Sequence, residues 1–307
     1  MSRTATRSGG AISFLGIDVG GTKVAFRIED GVGGQQETSA RWSAGATVAD
    51  DLALLSAKAV ELLADRSERV EAIGVALPAT VGPCGNVVAW PGRPSWTGSD
   101  LRSMLRRLFP GAEVCYADDG DLAALAEART SGCADLLYLG IGTGVGGGIV
   151  AGGRSRPGLD RGSCELGHMV VERGGSRCDC GRRGCVQSVA SGPATLRRAG
   201  ALRGSEVTFR QLREAIEEKQ TWAMSALEDS AAALAAAAIS VHELLHVDLV
   251  LVGGGFATGL PCLIELMTEA LARLGRPGSP PPPVRPATLG SASSLHGAVL
   301  AARGLTG

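Results

Sequence analysis

Two apolar segments of this 307-residue sequence each run into a glycine-rich turn and return as a second apolar segment. The first segment, 13–18, turns at Gly20 and Gly21, and the second, 135–141, enters a glycine loop at 142–148. Strand-like and helix-like stretches alternate along the rest of the chain, which is the pattern of α/β proteins. The repeated strand–glycine turn–strand unit predicts two α/β lobes with a cleft between them.

The remaining apolar patterns predict where the other elements lie. Helices are expected at 50–66, 100–108, 121–129, 208–218, 221–246, 260–274 and 293–303, and strands at 71–77, 113–117 and 249–252. The proline-rich stretch 277–286 is expected to be an extended loop or a sheet edge, because proline cannot donate to a strand ladder. We divide the chain into a smaller lobe, 11–118 plus 293–307, and a larger lobe, 119–292.

Composition and charge argue against several classes of protein. A formal net charge of −1 provides no electrostatic attraction to nucleic acid or to acidic membranes. No stretch approaches the roughly 18 apolar residues that cross a bilayer, and the polar first ten residues lack the apolar core of a signal peptide. We therefore expect a cytoplasmic protein, in which cysteines stay reduced and a cysteine cluster more often binds metal.

The most specific chemical signal is a cluster of cysteines that follows a histidine. His168 precedes Cys178, Cys180 and Cys185, and Glu165 lies three residues before the histidine. Three thiolates and one imidazole complete a tetrahedral zinc shell with no position left for water, so the zinc would be structural. The alternatives are free thiols or a disulfide, although a C-x-C pair rarely closes on itself. We predict that zinc fixes His168, and through it Glu165, beside a pocket.

The first glycine turn joins a carboxylate, a hydroxyl and a cation. Asp18 ends the strand, Gly20 and Gly21 form the turn, and Thr22 and Lys23 follow. Backbone N–H groups of such a turn can hold phosphate oxygens, while the carboxylate binds Mg²⁺ directly or through water. The spacing is not that of a Walker loop. A plain Gly-Gly turn is the alternative, but it does not account for the three polar side chains.

The second glycine loop fits the loose dinucleotide pattern G-x-G-x-x-G, beginning at Gly142, Thr143 and Gly144. The dinucleotide interpretation requires a helix after the loop. A strand beginning at Ile149 follows instead, so a second phosphate-binding turn is the better explanation. A third glycine run, 253–255, follows a buried strand and would suit the close approach of a purine ring, or is simply a strand-to-helix turn.

Three carboxylates stand where a strand passes into a helix, at Asp118, Asp119 and Asp121. A carboxylate there can accept the proton of a substrate hydroxyl as it attacks a phosphorus atom. Helix N-capping by aspartate is the structural alternative. Capping would use one of the three, which favours a site.

A zinc-protease pattern, His242-Glu-Leu-Leu-His246, is also present, with Glu265 downstream. Two histidines one helical turn apart can bind zinc. This helix is rich in alanine and resembles a core helix, and a strand begins directly after it. We therefore assign the zinc to the cysteine cluster and discount the pattern.

Together these motifs resemble the ROK family of bacterial sugar kinases and sugar-responsive repressors, within the actin-like ATPase superfamily. The resemblance extends over 14–302 and is most specific in 165–168 and 178–185. The family's repressors carry an additional N-terminal helix-turn-helix of many tens of residues. Only about a dozen residues precede the first strand here, so we expect no DNA-binding function.

The resemblance implies roles for individual residues. It assigns the ATP phosphates and Mg²⁺ to Asp18, Gly20, Gly21, Thr22, Lys23, Gly142, Thr143 and Gly144, extending to Gly146, and it places Gly254 and Gly255 near the adenosine. Asp119 matches the general base that acts on the sugar 6-hydroxyl. Glu165 and His168 match residues that hydrogen-bond the sugar ring, and His168 also binds zinc through its other nitrogen.

The sequence departs from the family at sugar-facing positions. Asp118 and Asp121 replace the usual asparagines, Gln187 replaces a glutamate, and Ala79 replaces a glycine after the 74–77 strand. A buried carboxylate against a neutral hydroxyl is costly. Against an ammonium it forms a charge-assisted hydrogen bond. We therefore hypothesise a substrate with an amine at the 3-position of a glucose-like ring, such as kanosamine (3-amino-3-deoxyglucose), the substrate of family members in antibiotic pathways.

Other functions stay open at this point. A plain glucokinase would use Asp118 to accept from the 3-hydroxyl, and a catalytically silent sensor would bind sugar without phosphoryl transfer. Polyphosphate is a further candidate donor. The expected partners are the sugar and ATP, and family analogy indicates a homodimer.

Overall fold

The computed structural model describes residues 12–43, 45–64, 69–90, 92–159 and 162–305. Its strands are β1 (Ile12–Val19), β2 (Lys23–Asp30), β3 (Gln35–Arg41), β4 (Arg69–Ala76), β5 (Thr80–Val81), β6 (Val87–Ala89), β7 (Glu113–Ala117), β8 (Leu136–Ile141), β9 (Val145–Ala151), β10 (Arg154–Arg156), β11 (Leu249–Gly253) and β12 (Val284–Pro286). Its α-helices are α1 (Val48–Leu63), α2 (Leu101–Leu108), α3 (Asp119–Ser131), α4 (Val186–Ala190), α5 (Gly192–Arg203), α6 (Phe209–Glu217), α7 (Thr221–Leu245), α8 (Gly255–Thr258), α9 (Cys262–Leu274) and α10 (Ser293–Gly304).

Several parts of the predictions lie outside the described residues. They are the polar first ten residues, residues 11, 44, 65–68, 91 and 306–307 of the predicted smaller lobe (of which 65–66 end the first predicted helix), and residues 160–161 of the larger lobe.

The chain divides into two compact units. One unit extends to Asp119 and takes in the chain from Leu295 onward, and the other is Gly120–Ser294. Each contains one five-stranded sheet of mixed direction. The predicted α/β class is therefore confirmed, while the assignment of functional lobes stays a prediction.

The sheet of the first unit has the order β3-β2-β1-β4-β7. Strands β1, β4 and β7 are parallel, β2 runs antiparallel to β1, and β3 runs antiparallel to β2. In the register, Asp18 pairs with Ala76, which pairs with Ala117. The carboxyl ends of the three parallel strands therefore meet at one edge, and the residues that follow them gather there.

Both faces of this sheet are covered. Leu15 and Ile17 of β1 point into a core shared with α1 and α2. Alternate residues of β1 and β4 face α10, and here glycine is required for close packing. A Cβ at Gly16 would lie 2.6 Å from Val299 Cγ2, and one at Gly74 would overlap the main-chain oxygen of α10. The helix thus rests directly on the strands.

The second unit has the sheet order β10-β9-β8-β11-β12. Leu137 and Leu139 of β8 face a large core built with α7 and α9, whereas Leu136 and Tyr138 face α3. The segment Val284–Pro286 forms the edge strand β12, as the proline-rich sequence predicts. Proline is tolerated there because an edge strand has one unpaired side.

The extent of the second glycine loop is corrected by the structure. Strand β9 begins at Val145, so Gly146, Gly147 and Gly148 are strand residues and not part of a loop. A Cβ at Gly148 would lie 2.7 Å from the Cα of Asp121. These glycines let α3 approach β9 closely, and only 142–144 form the turn.

Helix α7 is long and apolar enough to cross a membrane by length and composition, contrary to our expectation that no segment would qualify. More than half of its most apolar window, 56%, is buried. Leu227 and Leu234 are fully buried in the core with α9. This burial is characteristic of the core helix of a globular unit.

Helix α3 carries a fully buried carboxylate, Glu127. Its oxygens accept hydrogen bonds from the backbone N–H groups of Thr288 and Leu289 at 2.9 Å, and from the hydroxyl of Ser293 at 2.7 Å. Three donors compensate the desolvation of the carboxylate. Glu127 therefore fixes the segment that leads into α10.

Replacing Glu127 by alanine is expected to destabilise the protein by about 3–5 kcal/mol, because three donors, among them the buried hydroxyl of Ser293, lose their acceptor. Urea denaturation measures this as a lower midpoint. The matched control is Glu228→Ala, an exposed position on α7, which should change stability by less than about 0.5 kcal/mol. Equal midpoints for the two variants would contradict the role of Glu127.

Candidate active site and metal centre

The four predicted zinc ligands lie together. The ligand atoms of His168, Cys178, Cys180 and Cys185 are all within 4.8 Å of one another, and they form the one such cluster found in the described part of the chain. Cys180 Sγ is 3.7 Å from Cys185 Sγ, and Cys178 Sγ is 3.6 Å from His168 Nδ1. A tetrahedral zinc shell requires about 3.8 Å between sulfurs and about 3.6 Å between sulfur and nitrogen. The donor set therefore fits zinc.

Tight turns shape this cluster. Gly181 and Gly184 have positive φ angles of 91° and 74°, and a Cβ at Gly184 would overlap the carbonyl of Glu172. The thiols of Cys180 and Cys185, on either side of Gly181 and Gly184, have different environments. The backbone N–H of Arg182 lowers the pKa of Cys180, whereas burial raises the pKa of Cys185 to about 12. Burial disfavours the thiolate form of Cys185, and a bound cation would stabilise that thiolate.

His168 lies between the metal cluster and Glu165. Its Nδ1 points to the cysteines, and its Nε2 is 3.8 Å from Glu165 Oε2. Ser163 Oγ is 2.5 Å from the other carboxylate oxygen. The Glu165 side chain is 57% exposed. Both residues therefore present polar atoms outside the metal cluster.

Asp121 has a structural role that the sequence alone does not reveal. The residue is 2% exposed, and its Oδ2 accepts a hydrogen bond from the N–H of Cys164 at 3.1 Å. Cys164 immediately precedes Glu165. The first turn of α3 thereby anchors the segment that carries the predicted sugar ligands.

Three candidate residues follow parallel strands of the first unit. Asp118 and Asp119, both half-buried, come directly after β7. Ala79 comes shortly after the neighbouring β4, and Leu77 N–H donates to the Ala117 carbonyl at 3.1 Å. The structure therefore brings Asp118, Asp119 and Ala79 to the sheet edge where Asp18, the penultimate residue of β1, also lies.

The first glycine turn lies between β1 and β2 of the first unit. Within the described residues, the N–H groups of Gly20, Gly21 and Thr22 donate no hydrogen bond. Thr22 and Lys23 are exposed beside them. Consecutive N–H groups without acceptors, next to a cation, can hold an anion.

The second turn is held by Gln187. The N–H of Val145 donates to Gln187 Oε1 at 3.2 Å, and the N–H of Gly142 donates to the Gly144 carbonyl at 2.9 Å. Thr143 N–H and Gly144 N–H donate to no other described residue. Gln187 lies in the first turn of α4, whose N-cap is Cys185. It therefore connects the metal cluster to this turn. The sequence alone did not predict this contact.

The third glycine run has one position where only glycine fits. Gly254 has φ +87°, and a Cβ there would lie 2.4 Å from the Ile141 oxygen. Gly255 begins α8. The backbone of 254–255 therefore packs against the end of β8, in the same unit as the second turn.

The H-E-x-x-H pattern forms the end of a helix. His242 Nδ1 is 2.9 Å from the Val247 carbonyl oxygen, and Glu243 pairs with Arg276 through two hydrogen bonds at 2.9 and 2.6 Å. His246 is the helix C-cap with positive φ. These contacts use the polar groups of His242 and Glu243 structurally.

Two mixed sheets, each with a glycine turn between antiparallel strands, are the architecture of the predicted actin-like ATPase fold. The ROK family model matches residues 14–304. The chain is 57% identical over 285 residues to the kanosamine kinase of Amycolatopsis mediterranei, covering 93% of this chain and 94% of the relative.

Solved structures agree. The ROK hexokinase from Thermus thermophilus matches with a TM-score of 0.86 at 29% identity, covering 96% of this chain and 99% of that one. The ROK family glucokinase from Streptomyces griseus, in complex with glucose and AMPPNP, matches with a TM-score of 0.76 at 25% identity, covering 95% and 99%. The chain belongs to the ROK family and is a sugar kinase, which confirms the predicted family, fold and enzyme class.

Proposed function

We propose that this sugar kinase transfers the terminal phosphoryl group of ATP to the 6-hydroxyl of an amino sugar, kanosamine. The observation that carries the choice of sugar is an acid, Asp118, directly before the proposed base Asp119 at the sheet edge. The 57% identity to a kanosamine kinase supports it.

In this proposal Asp119 is the general base. Its carboxylate accepts the proton of the 6-hydroxyl as that oxygen attacks the phosphorus atom, and ADP leaves. Placement at the first residue of α3 suits this role, because the rest of the helix is anchored through Asp121 and Glu127.

The two glycine turns would hold the phosphates. N–H groups at 20–22 and at 143–144 point to no other described residue and can bind phosphate oxygens. Lys23 adds a positive charge, and Gly254 and Gly255 let the adenosine approach the backbone. Mg²⁺, when bound, neutralises charge that develops on the phosphates, and Asp18 is the carboxylate that would hold it.

The metal cluster would contribute to sugar recognition indirectly, through His168 and Glu165. With zinc on Nδ1, His168 carries its proton on Nε2 and can donate it to a sugar hydroxyl. Glu165, exposed next to Nε2, accepts from a second hydroxyl. A bound zinc would supply rigidity here, since His168, Cys178, Cys180 and Cys185 would fill its four positions and leave none for substrate. Gln187 and Ala79, which differ from the family pattern, complete the proposed sugar contacts.

Asp118 would distinguish an amine from a hydroxyl. An ammonium opposite this carboxylate forms a charge-assisted hydrogen bond, worth about 1–4 kcal/mol depending on exposure. A neutral 3-hydroxyl gains less. Asp118→Asn is therefore expected to lower kcat/KM for kanosamine by about 5-fold to several hundred-fold, while the value for glucose stays within about threefold.

The experiment is a panel of kanosamine, glucose, glucosamine and N-acetylmannosamine, with coupled detection of ADP. Asp248→Asn, an exposed aspartate before β11, is the matched control and should leave the preference unchanged. Equal or better turnover of glucose by the native enzyme would reject the amine and favour a plain glucokinase. An Asp118→Asn variant that keeps its preference for kanosamine would also reject the role of Asp118.

Three further assignments belong to this proposal. ATP as donor is tested against polyphosphate in the same assay. A homodimer, expected by family analogy, is tested by light scattering. A place in antibiotic biosynthesis would follow if kanosamine is the substrate, and the expected cytoplasmic location is tested by cell fractionation.

A further inference from the structure

A single tryptophan bonds two carbonyls of the first glycine turn. Trp42 follows β3, whose last residue Arg41 pairs with Lys23. The backbone N–H of Trp42 donates to the Thr22 carbonyl at 3.1 Å, and its indole Nε1–H donates to the Gly20 carbonyl at 2.8 Å. The turn is therefore held from its carbonyl side by one half-buried side chain.

Fixing these carbonyls also fixes the direction of N–H groups. In a planar trans peptide the C=O and the following N–H point in opposite directions. The bond from Trp42 to the Gly20 carbonyl therefore directs Gly21 N–H away from the indole. The Gly21 N–H, which donates to no described residue, is thus held in one orientation for an anion.

The indole is itself held by a buried ion pair. The Arg93 guanidinium stacks on the Trp42 ring, with its Cζ 4.6 Å from the ring centroid. Arg93 binds both oxygens of Asp51 on α1, with Nε at 2.7 Å from Oδ2. Asp51 also accepts from Trp96 Nε1–H at 2.7 Å. Asp51 and Trp96 are each 1% exposed.

The Asp51–Arg93 ion pair does more than fill the core, because it extends to the first glycine turn. A buried aspartate on a helix is rare unless paired, and here its partner extends to the glycine turn through an aromatic ring. Gly92, next to Arg93, also lies against the turn, since a Cβ there would be 3.3 Å from the Gly21 Cα. The network links α1 and the 92–96 segment to the turn.

We infer that Trp42, supported by Arg93, is a positioning residue that preorganises the first glycine turn for the nucleotide phosphates. The inference rests on the proposed role of that turn in binding ATP. Trp42 contacts the turn from its carbonyl side. It holds the peptide groups of the turn in the orientation that bound phosphate requires. The turn therefore loses less conformational entropy when the nucleotide binds.

The test compares Trp42→Phe, which keeps an aromatic ring for Arg93 but lacks the indole N–H, with the wild type. Loss of one hydrogen bond is expected to raise the Kd for a fluorescent Mg–ATP analogue and the KM for ATP by about 3- to 10-fold. The KM for the sugar should change less than twofold. Trp222→Phe is the matched control, because Trp222 also stacks with an arginine, Arg203, at 5.4 Å.

Arg93→Lys, which removes the planar stacking group but keeps the charge, should shift nucleotide affinity in the same direction. Unchanged nucleotide affinity in Trp42→Phe overturns the inference. Equal losses for sugar and nucleotide, with a lower melting temperature, also overturn it and assign Trp42 to stability alone. Lys23→Met separates this from the proposed function: if it too leaves nucleotide affinity unchanged, the turn does not bind ATP.

Discussion

Replacing Asp119 by asparagine is expected to lower kcat by about 10²- to 10⁴-fold, the usual contribution of a general base. Asparagine keeps the size and the hydrogen-bonding capacity of the side chain but cannot accept the proton of the 6-hydroxyl. The KM for the sugar and the Kd for the nucleotide should stay within a few-fold, since the remaining contacts are intact. Coupled ADP release and calorimetric titration of the sugar measure the two effects.

The control for this prediction is Asp248→Asn, which removes an exposed carboxylate in the other unit and should retain full turnover. If Asp119→Asn retained more than about one tenth of the wild-type kcat, a different group would have to accept the proton. If it lost sugar affinity to the same extent as turnover, Asp119 would be a binding residue and not the base.

The second large effect is expected at the metal cluster. Cys185→Ser should reduce the zinc content from one ion per chain to less than about 0.2, measured by mass spectrometry, because a Cys₃His shell has no replacement ligand. Structural zinc sites contribute on the order of 10 kcal/mol to folding in small domains, so the melting temperature should fall by several degrees or more. The sugar KM should rise about 10- to 100-fold, the range for disturbed supporting ligands.

Cys262→Ser is the matched control, because Cys262 is a half-buried thiol on α9 and is not one of the four clustered ligands. It should keep the metal and the sugar affinity. A native protein without zinc, or a Cys185→Ser variant that keeps it, would contradict the assignment of the cluster. Retained sugar affinity after loss of zinc would leave the cluster as a purely stabilising element.

The sequence predicted the features whose physical requirements are local. The spacing of His168 and the three cysteines indicated zinc because few other arrangements explain it, and the structure brings their ligand atoms together. Helix starts were located within a few residues where a capping side chain marks them, such as Asp100 before α2. The strand–glycine turn–strand units were visible because apolar strands adjoin glycine pairs.

Features that depend on distant contacts were missed. Gln187 bonds Val145, 42 positions away, and Trp42 bonds Gly20, 22 positions away. No local pattern records such pairs. Strand β3 was missed for a different reason: it is a polar edge strand whose residues are mostly exposed, so it lacks the apolar alternation that identifies a half-buried strand.

Helix α5 could have been predicted. Ser191 caps its N-terminus through a hydrogen bond to Ala194 N–H, a proline stands in its first turn, and Gly204 ends it in the left-handed conformation. This combination of start and stop signals is informative on its own. The glycines 146–148 were misassigned because a glycine that admits a neighbouring helix and a glycine that forms a loop are identical in sequence.

The contacts of helix α3 limit the insertions and deletions that this enzyme can accept. Asp121 and Glu127 both lie on α3, and their side chains accept hydrogen bonds from separate segments of the chain. Inserting or deleting a single residue between Asp121 and Glu127 would rotate one of these side chains relative to the other by about 100° around the helix axis, and one set of hydrogen bonds would be lost. We therefore expect natural relatives to vary in length in surface loops and to conserve the length of this helix, whatever sugar they use.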